Sequence, residues 1–241
     1  MSGEGKRLSM LGHIGELRKR LIRSLVVVGV AAIVCFIFRE QIINLLIAPA
    51  QGIQLQAIEM TEMLGTIMRV SLFAAIILAM PYLTYEVIMF VSPALTRREK
   101  MYVYLILPWI ALMFIGGVLF SYYVLVPNVT KFLLTFGSDI APTVPRIKDY
   151  INVVTRMMLA VGLVFEMPVV TTFLARIGVL KYHWLARKRR EAIIVSFILA
   201  ALITPTIDPI NQALVAVPLV VLYEMSIWLA RLAQKRRPAA E

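Results

Sequence analysis

The sequence has few of the side chains from which catalytic and metal-binding sites are usually built. Cys35 is the single cysteine and stands inside an apolar run, so the chain offers no internal disulfide and no cysteine cluster for a metal. Histidine occurs twice, at His13 and His183, which leaves no His-x-x-x-His metal pair and makes an intramembrane serine–histidine dyad implausible. No glycine-rich nucleotide loop is present. We therefore expect a protein that is not an enzyme and that carries no cofactor.

Charged residues are also scarce. They make up 16% of the 241 residues, whereas 60% are hydrophobic and the mean hydropathy is +0.83. An ordinary soluble domain is about half apolar and about a quarter charged, so the excess apolar surface must face lipid. Several apolar runs have the length of about 20 residues that a helix needs to cross a bilayer, and the alternating pattern of a membrane barrel is missing. The composition predicts an all-α polytopic membrane protein.

Six transmembrane helices are predicted within a single membrane domain covering residues 1–241. A cytoplasmic amphipathic segment, 1–21, leads into the first span, which we interpret as uncleaved, and a basic tail, 230–241, follows the last. The predicted spans are 22–38, 69–91, 102–124, 151–175, 191–204 and 211–229. The last two are short for a full crossing and are expected to form a hairpin across a thinned bilayer. The two long outward loops, 39–68 and 125–150, contain apolar residues and prolines and are expected to be structured caps.

The distribution of Lys and Arg predicts the orientation, because cytoplasmic segments carry the excess of these residues. With the N-terminus inside, the cytoplasmic segments hold 19 of the 25 Lys and Arg residues. The net charge of +11 is thus mainly a topology signal and not a nucleic-acid footprint. Both termini are predicted to be cytoplasmic.

Only a few carboxylates share that basic face, and a cationic ligand could dock only where they receive it. Glu16 lies on a polar stripe with Arg20, beside an apolar stripe, in a segment predicted to be an interfacial helix. An alternative interpretation is an amphipathic anchor in which Glu16 and Arg20 form an exposed i,i+4 pair of small value. Glu99 is the one carboxylate among three cations in the first cytoplasmic turn. An alternative interpretation is that the charges of this turn only set the membrane topology and bind no ligand.

Glu166 lies inside the fourth predicted span, where an ionisable group is a functional-site hypothesis by default. Desolvation favours its neutral, protonated form, and Pro168 should loosen the helix beside it. The presence of Glu166 in the span is explained about as well by a hydrogen bond that holds two helices together and has no further function. Glu86 and Glu224 invite the same hypotheses more weakly.

Five short motifs follow one another along the chain: His13-Ile14-Gly15-Glu16-Leu17-Arg18-Lys19-Arg20-Leu21, Ala48-Pro49, Ser92-Pro93-Ala94-Leu95 with Glu99, Phe165-Glu166-Met167-Pro168, and Thr204-Pro205 with Asp208 and Gln212. In this order and spacing they resemble the motifs of the TatC family, the polytopic core of the twin-arginine translocase. The resemblance covers nearly the whole chain. It implies a concave six-helix bundle in the cytoplasmic (inner) membrane.

The resemblance also implies roles for individual residues. Glu16 and Glu99, with Arg18, match signal-peptide-binding positions, and Glu166 matches an intramembrane glutamate. Further family motif positions are matched by Pro49, Asp208 and Gln212, and the resemblance assigns no role to these three residues. Glu86 departs from the family, which more usually has an uncharged amide there, so no role is carried over to it.

The partners implied by the resemblance are twin-arginine signal peptides and single-span subunits of the TatA and TatB type, in a multimeric complex driven by the proton-motive force. Planar guanidinium groups suit carboxylates bidentately, which agrees with this assignment. The main alternative is a secondary transporter that uses Glu166 as a proton or ion relay, and an intramembrane protease is a weaker one.

Overall fold

Helices make up nearly all of the chain that the structure describes. The computed structural model describes residues 10–50, 55–91, 97–136, 144–205 and 208–235, with the backbone alone for residues 10, 11, 13, 91, 97–105 and 235. Its α-helices are α1 (Met10–Ile37), α2 (Arg39–Ile47), α3 (Glu62–Val91), α4 (Arg97–Phe120), α5 (Val126–Thr135), α6 (Ile147–Phe165), α7 (Met167–Arg176), α8 (Tyr182–Arg187), α9 (Arg189–Ile203) and α10 (Pro209–Lys235). Within these residues the β-structure is one isolated bridge, between Gln56 and Arg146. The predicted all-α class is confirmed.

Five helical stretches in the described residues are long and apolar enough to cross a membrane. They are Ile14–Ile37, Glu62–Phe90, Ile106–Thr135, Ile147–Arg176 and Pro209–Gln234. The predicted fifth span corresponds to α9, whose 15 residues extend over about 22 Å, less than the hydrocarbon thickness of about 30 Å. The count of six spans therefore stays a prediction.

Several helices continue beyond the predicted span limits. The α3 helix begins at Glu62, and α10 has 27 residues, so the expectation of a short last span is wrong. Residues 10–21 of the amphipathic segment and the first apolar run form one uninterrupted helix, α1. After α4 the chain passes through a π-helical segment, Ser121–Leu125, into α5, so that the first part of the predicted outward loop 125–150 is helical. Pro127 lies at the junction of the π-helical segment and α5, and because proline has no N–H it leaves a carbonyl of that segment without a helical donor.

Side-chain hydrogen bonds to the backbone identify which helix ends lie together. On the face where α1 begins, called here the N-terminal face, the Tyr223 hydroxyl donates to the Leu185 carbonyl at 2.8 Å and Gln234 Nε2 donates to the Leu180 carbonyl at 2.7 Å. On the face that holds α2, called here the opposite face, the Tyr122 hydroxyl donates to the carbonyl of Leu45 at 2.7 Å. These bonds hold α8 and α2 against the ends of the long helices.

Glycine permits a close approach of α4 and α6 in the core. A Cβ atom on Gly117 would lie 2.7 Å from Cγ of Phe165 and 2.9 Å from Cα of Gly162, distances that leave no room for a side chain. A Cβ on Gly116 would meet nothing within 4 Å. Helix packing therefore explains the second glycine of the Gly116-Gly117 pair and not the first.

Candidate functional site

A chain of charged hydrogen bonds joins α1 to α3 near the N-terminal face. The Arg20 guanidinium donates to Oε1 of Glu16 through Nε at 3.0 Å and through Nη2 at 2.6 Å. Its Nη1 donates to Oε2 of Glu86 at 2.6 Å, and the Tyr82 hydroxyl donates to Oε1 of the same carboxylate at 2.7 Å. Arg20 thus bridges two carboxylates from different helices.

This cluster is largely enclosed. The side chains of Glu86, Arg20 and Glu16 are exposed by 6%, 16% and 29%. The exposed i,i+4 pair considered from the sequence is therefore a partly buried bridge. Two carboxylates share the one guanidinium that is hydrogen-bonded to them, Arg23 lies near enough to Glu86 to act on it electrostatically, and Glu16 is the most accessible of the three bonded groups. Oε2 of Glu16 accepts no hydrogen bond from the described residues. The cluster can accept a further cationic donor there.

Two other residues implied by the resemblance are at the same face. Arg18 is exposed on α1 and forms no ion pair with a described residue. The backbone of Glu99 is in the first turn of α4, but its side chain lies outside what the structure describes. Whether Glu99 faces Glu16 therefore stays a prediction.

Glu166 interrupts the helix that the sequence predicts as the fourth span. It separates α6 from α7, and Pro168 has no N–H to donate to the carbonyl of Val164. The Glu166 side chain is buried at 3% exposure, and its Oε2 accepts a 2.6 Å hydrogen bond from the Thr84 hydroxyl. Its Oε1 has no partner, and no described Lys or Arg forms an ion pair with it. The geometry therefore offers Glu166 a hydroxyl donor and no charged relay partner.

The Thr84 and Glu86 contacts bring the two parts of the site to one turn of α3. Thr84 holds Glu166, and Glu86, two residues on, holds Arg20. Because a helix rises 1.5 Å per residue, these contacts are separated by only about 3 Å along the axis of α3. Sequence reasoning assigned Glu86 only a weaker form of the Glu166 hypotheses and carried over no family role; the structure places it at 5% exposure beside Arg20.

The remaining motif positions lie on the opposite face. Pro49 belongs to the 3₁₀ turn Ala48–Ala50 that follows α2. Asp208 precedes α10, and its Oδ2 accepts the backbone N–H of Asn211 at 2.9 Å, which satisfies a helix N-terminus. Gln212 Nε2 donates to the Phe197 carbonyl at 3.0 Å and ties α10 to α9. These residues support the fold of that face and do not contact the charged cluster.

Glu62 is a buried carboxylate that sequence reasoning missed. Its Oε2 accepts the backbone N–H groups of Ile58 at 2.9 Å and Glu59 at 3.2 Å, while Oε1 accepts that of Lys148 at 3.2 Å. It therefore joins the segment before α3 to the first turn of α6 on the opposite face. The signal available in the sequence was an acidic residue at the start of an apolar helix, where a carboxylate suits the unpaired N–H groups.

Comparison with known proteins agrees with the family that the order of motifs implies. Residues 12–218 match the sequence profile of the family described as Sec-independent protein translocase protein (TatC). The TatC protein of Desulforapulum autotrophicum is 39% identical over an alignment covering 100% of this chain and 91% of that protein. A chloroplastic relative from Arabidopsis thaliana is 32% identical, with 95% of this chain and 68% of that protein aligned. The chain belongs to the TatC family.

A solved structure agrees with this assignment. The crystal structure described as the twin arginine translocase receptor TatC superposes with a TM-score of 0.80 at 34% identity and covers 92% of this chain. As a TatC-family member, the chain is a multi-pass membrane protein of a protein translocase and not an enzyme, and it belongs to a complex with other translocase subunits. Among the described residues of this TatC-family chain, no group of three His, Cys, Asp or Glu side chains lies together to hold a metal ion.

Proposed function

We propose that this chain is the receptor subunit of a twin-arginine translocase and binds paired arginines of signal peptides at its N-terminal face. The observation that carries the proposal is that Oε2 of Glu16, the most exposed group of the Glu16–Arg20–Glu86 cluster, accepts no hydrogen bond from the described residues. The cluster already pairs a guanidinium with Glu16 and Glu86, which is the chemistry that a signal-peptide arginine would use. Glu99, in the first turn of α4, is proposed as a second acceptor.

The proposed location is the cytoplasmic (inner) membrane, with both termini in the cytoplasm and with residues 1–241 as one membrane domain. The bonds that hold α8 and the end of α10 at the N-terminal face support this orientation, because most of the Lys and Arg residues lie in the segments at that face. The surrounding cations would penalise ligands that miss the carboxylates.

The proposed partners are single-span subunits of the TatA and TatB type, and the proposed energy source is the proton-motive force. A groove of about 490 Å³ on the exposed side of α9 supports a helix-binding role. Ile194, Phe197 and Ile198 line its apolar wall, and Gln212 supplies an amide at one end. An apolar wall with a polar end suits a membrane helix that carries one hydrogen-bonding group.

The proposed receptor role is tested by the affinity of a twin-arginine peptide for the purified full chain, with a twin-lysine peptide for comparison. Glu16→Ala and Glu99→Ala should each weaken binding about tenfold or more, because a charge-assisted hydrogen bond contributes about 1.5–3 kcal/mol. Binding should fall further in the double variant, and the twin-lysine peptide should bind more weakly to the unmodified chain.

The matched control is Glu191→Ala. Glu191 is an exposed carboxylate at the same face and pairs with Lys188 at 2.7 Å, outside the cluster. Its removal should leave peptide affinity unchanged. Unchanged affinity in both Glu16→Ala and Glu99→Ala would rule out the receptor site as proposed.

A further inference from the structure

An apolar groove with a cationic mouth lies between α1 and α3 in the half of the molecule toward the opposite face. It has a volume of about 530 Å³. Ala32, Ile33 and Phe36 of α1 form one wall, and Met68, Arg69 and Leu72 of α3 contribute to the other. Ile33 and Met68 are 66% and 58% exposed, so the groove is open to the surrounding lipid.

One arginine lines this groove and a second lies next to it. Arg69 lines the groove, donates from Nη1 to Oδ1 of Asn152, and forms no ion pair within the described part of the chain. Arg39 places its Cζ 5.2 Å from the ring centroid of Phe36, which lines the same groove. Arg39 forms an ion pair of 3.9 Å with Glu40, in which both side chains are exposed and the pairing is weak. The mouth therefore carries the charge of Arg69, which no described carboxylate pairs, beside a weakly paired Arg39.

The position of each arginine along its helix places both groups near the lipid phosphates. With the middle of α3 at the bilayer centre, the Arg69 backbone is about 11 Å from the centre at 1.5 Å per residue. Ile37, the last residue of α1, is about 17 Å from the middle of Ile14–Ile37, and Arg39 opens α2 two residues further on. The hydrocarbon boundary lies at about 15 Å, and the long Arg69 side chain can extend beyond it to the headgroups. Both side chains can therefore extend toward the same headgroup layer.

We propose that this groove binds one anionic phospholipid of the leaflet at the opposite face, with an acyl chain along the apolar walls and its phosphate between Arg39 and Arg69. Basic pockets between membrane helices are suited to anionic headgroups. A second helix fits the groove less well, because close helix packing favours small residues and the exposed walls carry Ile33, Phe36, Met68 and Leu72. Ser71 also lines the groove, but its hydroxyl donates to the Ile67 carbonyl, which leaves the Arg69 guanidinium as the polar group that a headgroup can use.

The test is native mass spectrometry of the purified full chain, incubated with phosphatidylglycerol and phosphatidylcholine of identical acyl chains. The unmodified chain should retain one phosphatidylglycerol in preference to phosphatidylcholine. Arg69→Gln and Arg39→Gln should each lower this preference about fivefold, the change expected for one cation near a lipid surface. Leu72→Trp, which fills the groove and leaves both arginines in place, should lower retention of phosphatidylglycerol.

Lys131→Gln is the matched control. Lys131 is an exposed cation on α5, toward the same face, and does not line the groove. Its removal should leave the preference intact. The proposal would be overturned if the unmodified chain retained the two lipids equally, a result that would favour a partner helix as the occupant. It would also be overturned if Lys131→Gln lowered the preference as much as Arg69→Gln. If an arginine variant loses its helical circular dichroism signal, Leu72→Trp decides the question, and unchanged retention in that variant would overturn the proposal.

Discussion

Arg20 of α1 and Glu86 of α3 form an ion pair of 2.6 Å across 66 positions of sequence. The same guanidinium holds Glu16 one turn earlier on its own helix. The residue proposed to receive a signal peptide is therefore held in place by a contact to a second helix. This arrangement restricts the movement of Glu16, which reduces the ordering cost of binding an arginine.

Glu86→Ala should destabilise the chain by about 1.5–3 kcal/mol, because Arg20 loses a charged partner and the Tyr82 hydroxyl loses its acceptor. The measurement is the free energy of unfolding in mixed micelles under denaturant. Glu224→Ala is the control, because Glu224 pairs with Arg189 at 2.9 Å while both side chains are well exposed. Such a surface pair contributes at most about 1 kcal/mol. Equal losses in the two variants would contradict the structural role given to Glu86.

Glu166→Gln should leave partner recruitment and stability nearly unchanged, whereas Glu166→Ala should impair recruitment and leave twin-arginine binding intact. The amide keeps an oxygen that can accept the Thr84 hydrogen bond, and the alanine leaves that hydroxyl without its acceptor. Recruitment is measured by crosslinking to the single-span subunits. Impairment as severe in Glu166→Gln as in Glu166→Ala would mean that the site requires a negative charge.

Gly117→Ala should lower stability by about 1–3 kcal/mol, the usual cost of overpacking a close contact. The added Cβ would meet the Phe165 ring on one side and the backbone of Gly162 on another. A side chain can rotate away from such a contact, but the Gly162 backbone cannot move without shifting α6. Gly116→Ala introduces the same methyl group one residue earlier, into open space. Unfolding free energies of the two variants provide the comparison, and a loss confined to Gly116→Ala would be inconsistent with the packing of α4 on α6.

Glu62→Ala should loosen the segment that precedes α3 from the first turn of α6, because three backbone N–H groups lose their shared acceptor. Limited proteolysis from the side of the opposite face should then cut this segment faster than in the unmodified chain. Glu59→Ala removes an exposed carboxylate three residues away and should not change the cutting rate. Equal rates in all three proteins would show that the Glu62 contacts do not hold the segment.

The sequence by itself determined the class of the protein and its family. Lipid offers no hydrogen bonds to the backbone, so apolar runs of this length in this chain have to be helices. The order of short motifs from Glu16 to Gln212 identified the family before any contact was known. Periodicity also indicated that Glu16 and Arg20 share one face of α1, because residues four positions apart are neighbours on a helix.

Only the tertiary structure decided which polar residues meet. Glu86 contacts Arg20, Thr84 contacts Glu166 and Glu62 contacts Lys148 across 66, 82 and 86 positions respectively. Helical periodicity assigns a residue to a face of its own helix, but it carries no information on which other helix packs against that face. The continuation of α4 into α5 was likewise decided by the tertiary structure, because propensity in the sequence is weak at helix ends. The α9 helix, by contrast, has nearly the length that the sequence predicted.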